Sequence, residues 1–171
     1  SMIQKGISGI CMHTNMDCAA AGVNDLLAAS LGLTDVVNMG AGEGGNLGRV
    51  GNLPRPMTLA QFAQHVKLSL DAGGVRVADG GKMVQRVAVG GGACGSELQS
   101  VMAHGCDTLV TADLRYHDFA DAPYWGINLI DAGHFETENP VCTRLEAILT
   151  QAFPGLTVLQ SEIHRDETHF L

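Results

Sequence analysis

Four apolar runs in this chain end in side chains that can do chemistry. In "CMHTNMDCAAAGVND" (residues 11–25), the run over Ile7–Met12 delivers His13, Asn15 and Asp17 to a turn that precedes a helical pattern. In "LIDAGHFETENP" (129–140), the run over Asn128–Ile130 delivers Asp131, His134, Glu136 and Glu138. His134 and Glu138 are spaced H-x-x-x-E, so imidazole and carboxylate share a face if the segment is helical. Nitrogen and oxygen donors of this kind suit zinc, manganese or iron, whereas calcium prefers oxygen alone. Each cluster also has a plainer reading. Asp17 or Asn15 can cap the following helix, His134 can be a hydrogen-bonded core histidine, and Glu138 a solvated acid at a helix entry.

The third strand end, "TADLRYHDFADA" (111–122), offers Thr111, Asp113, Tyr116 and His117. An acid beside an imidazole fixes its tautomer, so these are a proton-transfer pair or groups supporting a metal ligand. Capping of a helix by Asp113 or Asp118 is the alternative. The fourth is the glycine turn Gly90–Ser96, "GGGACGS". Its N–H groups could hold a phosphate, but it matches no phosphate-loop pattern, and tight strand-to-helix packing capped by Ser96 explains it equally. Cys94 in that turn has no evident base beside it and is not read as a nucleophile. His65 and His104 read as surface or capping residues, and His164 and His169 lie in a polar tail.

Groups gathered at strand ends require strands and helices in alternation, and the sequence supplies them. Val23, Leu26, Leu27 and Leu31 recur at helical spacing up to Gly32, before a strand at Asp35–Met39. The stretch 40–56, "GAGEGGNLGRVGNLPRP", with its many glycines and two prolines, reads as a loop or domain junction. Thr58 can cap a helix carrying Leu59, Phe62, Val66 and Leu70. Strands follow at Val75–Ala78 and Arg86–Val89, then a helix over Ser96–His104 and a strand at Thr108–Ala112. A short helix after His117, a strand at Asn128–Ile130, a helix over Pro140–Phe153 and a strand at Leu156–Gln160 complete an α/β pattern.

Composition narrows the partners. With 171 residues, 46% hydrophobic and 16% charged, the chain reads as a folded globular protein. A net charge of −8 disfavours nucleic acid and anionic membranes and suits small molecules and metal cations. No run approaches the ~20 apolar residues of a membrane span. The five scattered cysteines lack a C-x-x-C pair and read as reduced, small buried hydrophobes, consistent with a cytoplasmic setting.

Taken together, "HTNMD" with Gly22-Val-Asn-Asp25, "RVAVGGGACGSE", "TADLRYHDFADA" and "LIDAGHFETE" resemble the Nif-three-like dinuclear metal-binding family, also called GTP cyclohydrolase 1 type 2. The resemblance implies two similar α/β domains with metal ions between them, and a ring-shaped homo-hexamer. It implies Asp17, His134 and Glu138 as metal ligands, His13 and His117 as catalytic groups lining the site, a divalent metal cofactor (zinc, manganese or iron), and a small-molecule substrate such as the nucleotide GTP. Residues 1–45 would be the remainder of a first domain, 46–125 a second, and 126–171 a return to the first. The family pattern also has an adjacent His-His pair upstream, which this sequence lacks. The chain is therefore expected to represent the C-terminal two-thirds of the family fold, with three ligands rather than five and its metal incompletely held. A non-catalytic metal-binding or regulatory module is the competing expectation.

Overall fold

The computed structural model describes residues 1–40 and 47–170. Thr34–Asn38 (β1), Arg49–Met57 (β2), Arg76–Ala78 (β3), Val84–Val89 (β4), Thr108–Thr111 (β5) and Asn128–Asp131 (β6) form one six-stranded sheet in the order β1-β2-β4-β5-β6-β3. The central strands β4, β5 and β6 are parallel, and the outer pairings are antiparallel. Strands from 1–45, 46–125 and 126–171 thus lie in the same sheet. The boundary expected at 45/46 falls on residues 41–46, outside those described.

The parallel centre follows from runs that are apolar on both faces. Successive side chains of a strand point to opposite sides, and each side here meets its own helices. Val87, Val89, Val110 and Ile130 pack in one core with Leu27 and Leu31 of helix α2 (Val23–Ser30 and its C-cap) and with Phe62 and Val66 of α3 (Leu59–Ser69). Ala88, Leu109 and Leu129 pack in the other with Leu98 and Val101 of α4 (Leu98–Ala103) and Ala122 of α5 (Tyr116–Trp125). Continuous Val/Ile/Leu runs are what a doubly covered parallel sheet demands. Phe62, fully enclosed, contributes about 1.5–3 kcal/mol by area burial alone. The remaining α-helices among the described residues are α1 (Thr14–Cys18), α6 (His134–Glu138) and α7 (Pro140–Ala152), the last opened by proline in its first turn, where the missing N–H costs nothing. Among the described residues no helix is long and apolar enough to cross a membrane.

Three expectations are corrected. The stretch 40–56 is not all loop: from Arg49 it is strand β2, inserted between β1 and β4 with Val50 and Leu53 buried. Pro54 and Pro56 fit because the ladder to β4 shifts register between Asn52 and Met57, where their missing N–H groups are not needed. Gly51 is also required there, since a Cβ would lie 2.9 Å from Leu33 Cβ and 3.1 Å from the Thr34 carbonyl oxygen of β1. Conversely, Ile7–Met12 and Leu156–Gln160 form no strand. The sheet ends at β1 and β3, neither run finds a ladder partner, and Ile10 and Leu159 are each 85% exposed. Local apolarity alone cannot hold an extended chain in a sheet.

The thiols also divide. Cys94 and Cys106 are buried as expected, whereas Cys11 is exposed and Cys18 and Cys142 are half-buried. Burial pushes the Cys94 thiol up to about 12 and Cys106 up to about 11. At pH 8 a water-soluble disulfide reagent should therefore label Cys11 first and leave Cys94 and Cys106 unmodified until the protein is unfolded; early labelling of Cys94 would contradict this packing. Thr58 caps α3 as expected, in a capping box with Gln61. Thr58→Ala should lower stability by about 1 kcal/mol, read as a lower urea midpoint with an unchanged slope.

Candidate metal centre

The three parallel strands deliver their C-terminal ends to one rim of the sheet, where open α/β folds place ligand sites. β4 leads into the glycine turn, β5 into Asp113, and β6 into α6. Across this rim His134 Nδ1 donates to Asp113 Oδ2 at 2.6 Å, and His134 Nε2 lies 3.3 Å from Glu138 Oε1. The H-x-x-x-E spacing works as anticipated because α6 is a helix. With Nδ1 bound to Asp113, Nε2 faces the Glu138 carboxylate and would offer its lone pair to a cation that displaced its proton. The Asp113 hydrogen bond raises the His134 pKa, burial opposes it, and Glu138 adds to the rise.

Asp113 is the partner of His134 and not a helix cap. The capping role belongs to Asp118, whose Oδ2 accepts from the Arg115 N–H at 2.8 Å. Asp131 is a support and not a donor toward the site. Nearly buried, it accepts from the Leu114 N–H at 2.9 Å and pairs with Arg76, which braces the turn carrying Asp113.

The glycine turn is used for packing, not as an open anion cradle. Gly90 N–H donates to Val110 O, Gly91 to Asn24 Oδ1, Gly92 to Thr137 Oγ1 and Cys94 to Thr111 Oγ1. The helix after it starts without a side-chain cap, so Ser96 does not play that part. Gly92 has φ +61°, and a Cβ there would collide with Glu138 Oε1 and lie 3.1 Å from His134 Nε2. The turn is the floor on which the imidazole and carboxylate rest.

Asp17 sits in α1, within electrostatic reach of this group. Burial raises its pKa, while the charges of His13 and His134 pull it back. Neither Asp17 nor Asn15 caps α2: Asn15 Oδ1 turns back to the His13 N–H at 2.8 Å, and α2 begins without a side-chain cap. His13 precedes α1, with Nδ1 3.1 Å from Thr14 Oγ1. His117 is exposed at the start of α5, edge-on to the Tyr116 ring, and it is Asp113 rather than His117 that meets His134. His65 and His104 bind backbone carbonyls as ordinary structural histidines. Among tail residues, the His164 ring lies tilted against Phe135 with centroids 5.1 Å apart, and Asp166 and Phe170 help line a cavity of about 280 Å³ bounded also by His134, Asp113 and Glu136. Burial, with Asp166 nearby, pushes the Glu136 carboxyl up.

Two buried polar residues, Asn24 and Thr137, accept the glycine-turn N–H groups. The signal for Asn24 was its place in "GVND", a polar residue inside an otherwise apolar helix face.

Comparison with known proteins shows the family. Residues 1–167 match the family Duf34/NIF3 (NGG1p interacting factor 3). A protein of Nostoc sp. named GTP cyclohydrolase 1 type 2 homolog is 36% identical over 145 residues, covering 82% of this chain and 55% of the relative. A Streptomyces coelicolor protein of the same name is 38% identical over 152 residues, covering 83% and 53%. The chain thus spans about half the length of these relatives. Among solved structures, a hypothetical protein of Staphylococcus aureus superposes with TM-score 0.87 at 27% identity, over 99% of this chain and 71% of that one. Reduced HcgD from Methanocaldococcus jannaschii does so with TM-score 0.73 at 25% identity, over 89% and 60%. With the match running through α1, the glycine turn and α6, the chain belongs to the Duf34/NIF3 family.

Proposed function

We propose that this chain binds a divalent metal ion (zinc, manganese or iron) through His134 Nε2, Glu138 and Asp17, and that the site serves hydrolysis of a nucleotide such as GTP. The observation that carries the metal reading is His134 held between two acids in different roles: Asp113 on Nδ1 at 2.6 Å and Glu138 beside Nε2 at 3.3 Å. Metal-ligating histidines characteristically have their other ring nitrogen fixed in this way. The donor chemistry fits such an ion, but incompletely. Among the described residues, no three His, Cys, Asp or Glu side chains form a ready-made metal-holding group. A single ion, loosely held, is the expectation.

A bound ion of this class supplies Lewis acidity and lowers the pKa of water. The chain's own groups would do the rest. Asp113 keeps Nδ1 protonated and the ring oriented, Glu138 and Asp17 provide negative charge, and His13 and His117 move protons. His13 is the N-cap residue of α1 and its carbonyl accepts from the Asp17 N–H at 3.4 Å, so the two residues share one turn of that helix. The nucleotide reading draws on the name of the relatives, GTP cyclohydrolase 1 type 2 homolog. A second reading, a non-catalytic metal-binding or regulatory module, is favoured by the lack of a ready-made three-donor group among the described residues.

Calorimetric titration with Zn²⁺ or Mn²⁺ should give one weak site per chain, stripped by mild chelation and abolished by His134→Ala. Two tightly held ions would overturn the incomplete ligand set. GTP ring-opening in the presence of added metal then separates the readings: turnover lost in His134→Ala supports the hydrolase, and binding without turnover supports the module. Gly92→Ala should weaken the metal on the order of tenfold, because the new methyl displaces Glu138 and His134; unchanged affinity would mean these side chains are not the ligands.

A further inference from the structure

We infer that Asn24 is the positioning residue that sets the separation between the two arms of the site, Asp17 on one side and His134 with Glu138 on the other. The inference rests on the metal reading above and adds what holds its ligand set together. The two arms come from distant parts of the sequence and sit on different supports. α6 is anchored to the sheet through the glycine turn, by the Gly92 N–H on Thr137 Oγ1 and by Thr111, which binds both Gly92 O and the Cys94 N–H. Among the described residues, no side chain of α1 is itself bonded to the sheet. This helix is five residues long, buries none of them and has no side-chain cap.

Asn24 joins the two. Its side chain is 1% exposed. Nδ2 donates to the Asp17 carbonyl at 3.0 Å, and Oδ1 accepts from the Gly91 N–H at 2.8 Å. The amide is read in one orientation, because turning it over would set oxygen against the carbonyl and NH₂ against the N–H. A continuous hydrogen-bonded path therefore runs from the backbone of Asp17 through one buried amide to Gly91, then Gly92, and on to Thr137 between His134 and Glu138. A short carboxamide is well suited to such a bridge, being uncharged, offering donor and acceptor at a fixed spacing, and having only two rotatable bonds to give it slack. A buried amide satisfied at both ends also resists being pulled apart, since each group left without its partner costs its desolvation.

Two variants test this. Asn24→Ala removes both bonds. Asn24→Asp keeps the shape and the acceptor for Gly91 but faces the Asp17 carbonyl with an oxygen, so it releases the Asp17 arm selectively. Each is compared with the parent by Zn²⁺ titration, alone and combined with Asp17→Ala. If Asn24 acts through Asp17, each variant weakens Zn²⁺ on the order of tenfold in the parent and has no further effect once Asp17 is alanine. An equal loss in both backgrounds would overturn the inference and leave Asn24 a general packing residue. Thiol labelling supplies a readout independent of metal. Cys18 adjoins Asp17 in α1, whereas Cys106 lies in the core. Either variant should speed labelling of Cys18 on the order of tenfold while Cys106 stays protected. Unchanged Cys18, or Cys18 and Cys106 accelerating together, would overturn the clamp. If the parent binds no Zn²⁺, the metal reading falls, and the Cys18 rates still decide the clamp.

Discussion

The approach of the Gly92 backbone to α6 is the constraint on which the rest of the site depends. His134 and Glu138 share a face because α6 is helical, and that face can rest against the turn only because position 92 has no side chain. Close approach brings a cost: backbone N–H groups enter a space with little room for water, where each must find a partner. The turn meets it with Val110, Asn24, Thr137 and Thr111, which is why threonines and an asparagine stand at buried positions. These polar residues are there to permit a glycine contact, and that contact places the imidazole.

The sheet explains why the groups meet at one rim. Parallel strands joined by right-handed crossovers place all their C-terminal ends on the same side, so β4, β5 and β6 present the turn, Asp113 and His134 together. α1 does not arrive by this route. It enters from a segment that pairs with no strand, and its placement is left to α2, to Asn24 and to a second polar connection. There Arg49 of β2 pairs with Asp25 and donates to the Ala19 carbonyl at 3.2 Å, while the Ala21 N–H donates to Asp25 at 2.6 Å. One polar network thus fixes the chain between α1 and α2, and Asn24 fixes α1 itself.

Much of this could be read in the sequence because its signals are local. The Thr58–Gln61 capping box, the apolar stripe of α3 and the doubly apolar runs of β4, β5 and β6 depend on a few neighbouring residues. The His134–Glu138 spacing is equally local, needing only that α6 be helical. What escaped depends on partners far along the chain. β2 looks like loop because its glycines and prolines are penalised in isolation, and it becomes a strand only between β1 and β4 with a register shift at the prolines. Ile7–Met12 and Leu156–Gln160 fail in the opposite sense, apolar enough for strands but without a ladder to join. Asp113 was legible as an acid that fixes an imidazole, though the imidazole it fixes lies 21 residues on, in His134, and not at the neighbouring His117.

The side-chain bond of Asp113 to His134 Nδ1 decides which of its two readings governs, and the backbone shows what holding that side chain there costs. Asp113 has φ +54°, the left-handed region, which a residue with a side chain occupies at a cost of roughly 1–3 kcal/mol. A glycine would remove that cost, and the turn after β5 would form as well, since the Leu114 N–H is already held by Asp131. Ala21, Asp35 and Asp71 share this conformation, so what distinguishes Asp113 is the side chain that the turn presents to His134. That side chain makes the hydrogen bond that fixes the His134 ring. The same turn, braced by Asp131 and Arg76, aims the carboxylate at Nδ1 and leaves Nε2 facing Glu138. Conformational cost at one residue is thereby exchanged for a single tautomer and a single ring orientation at another, which is what a ligand histidine needs before any ion arrives.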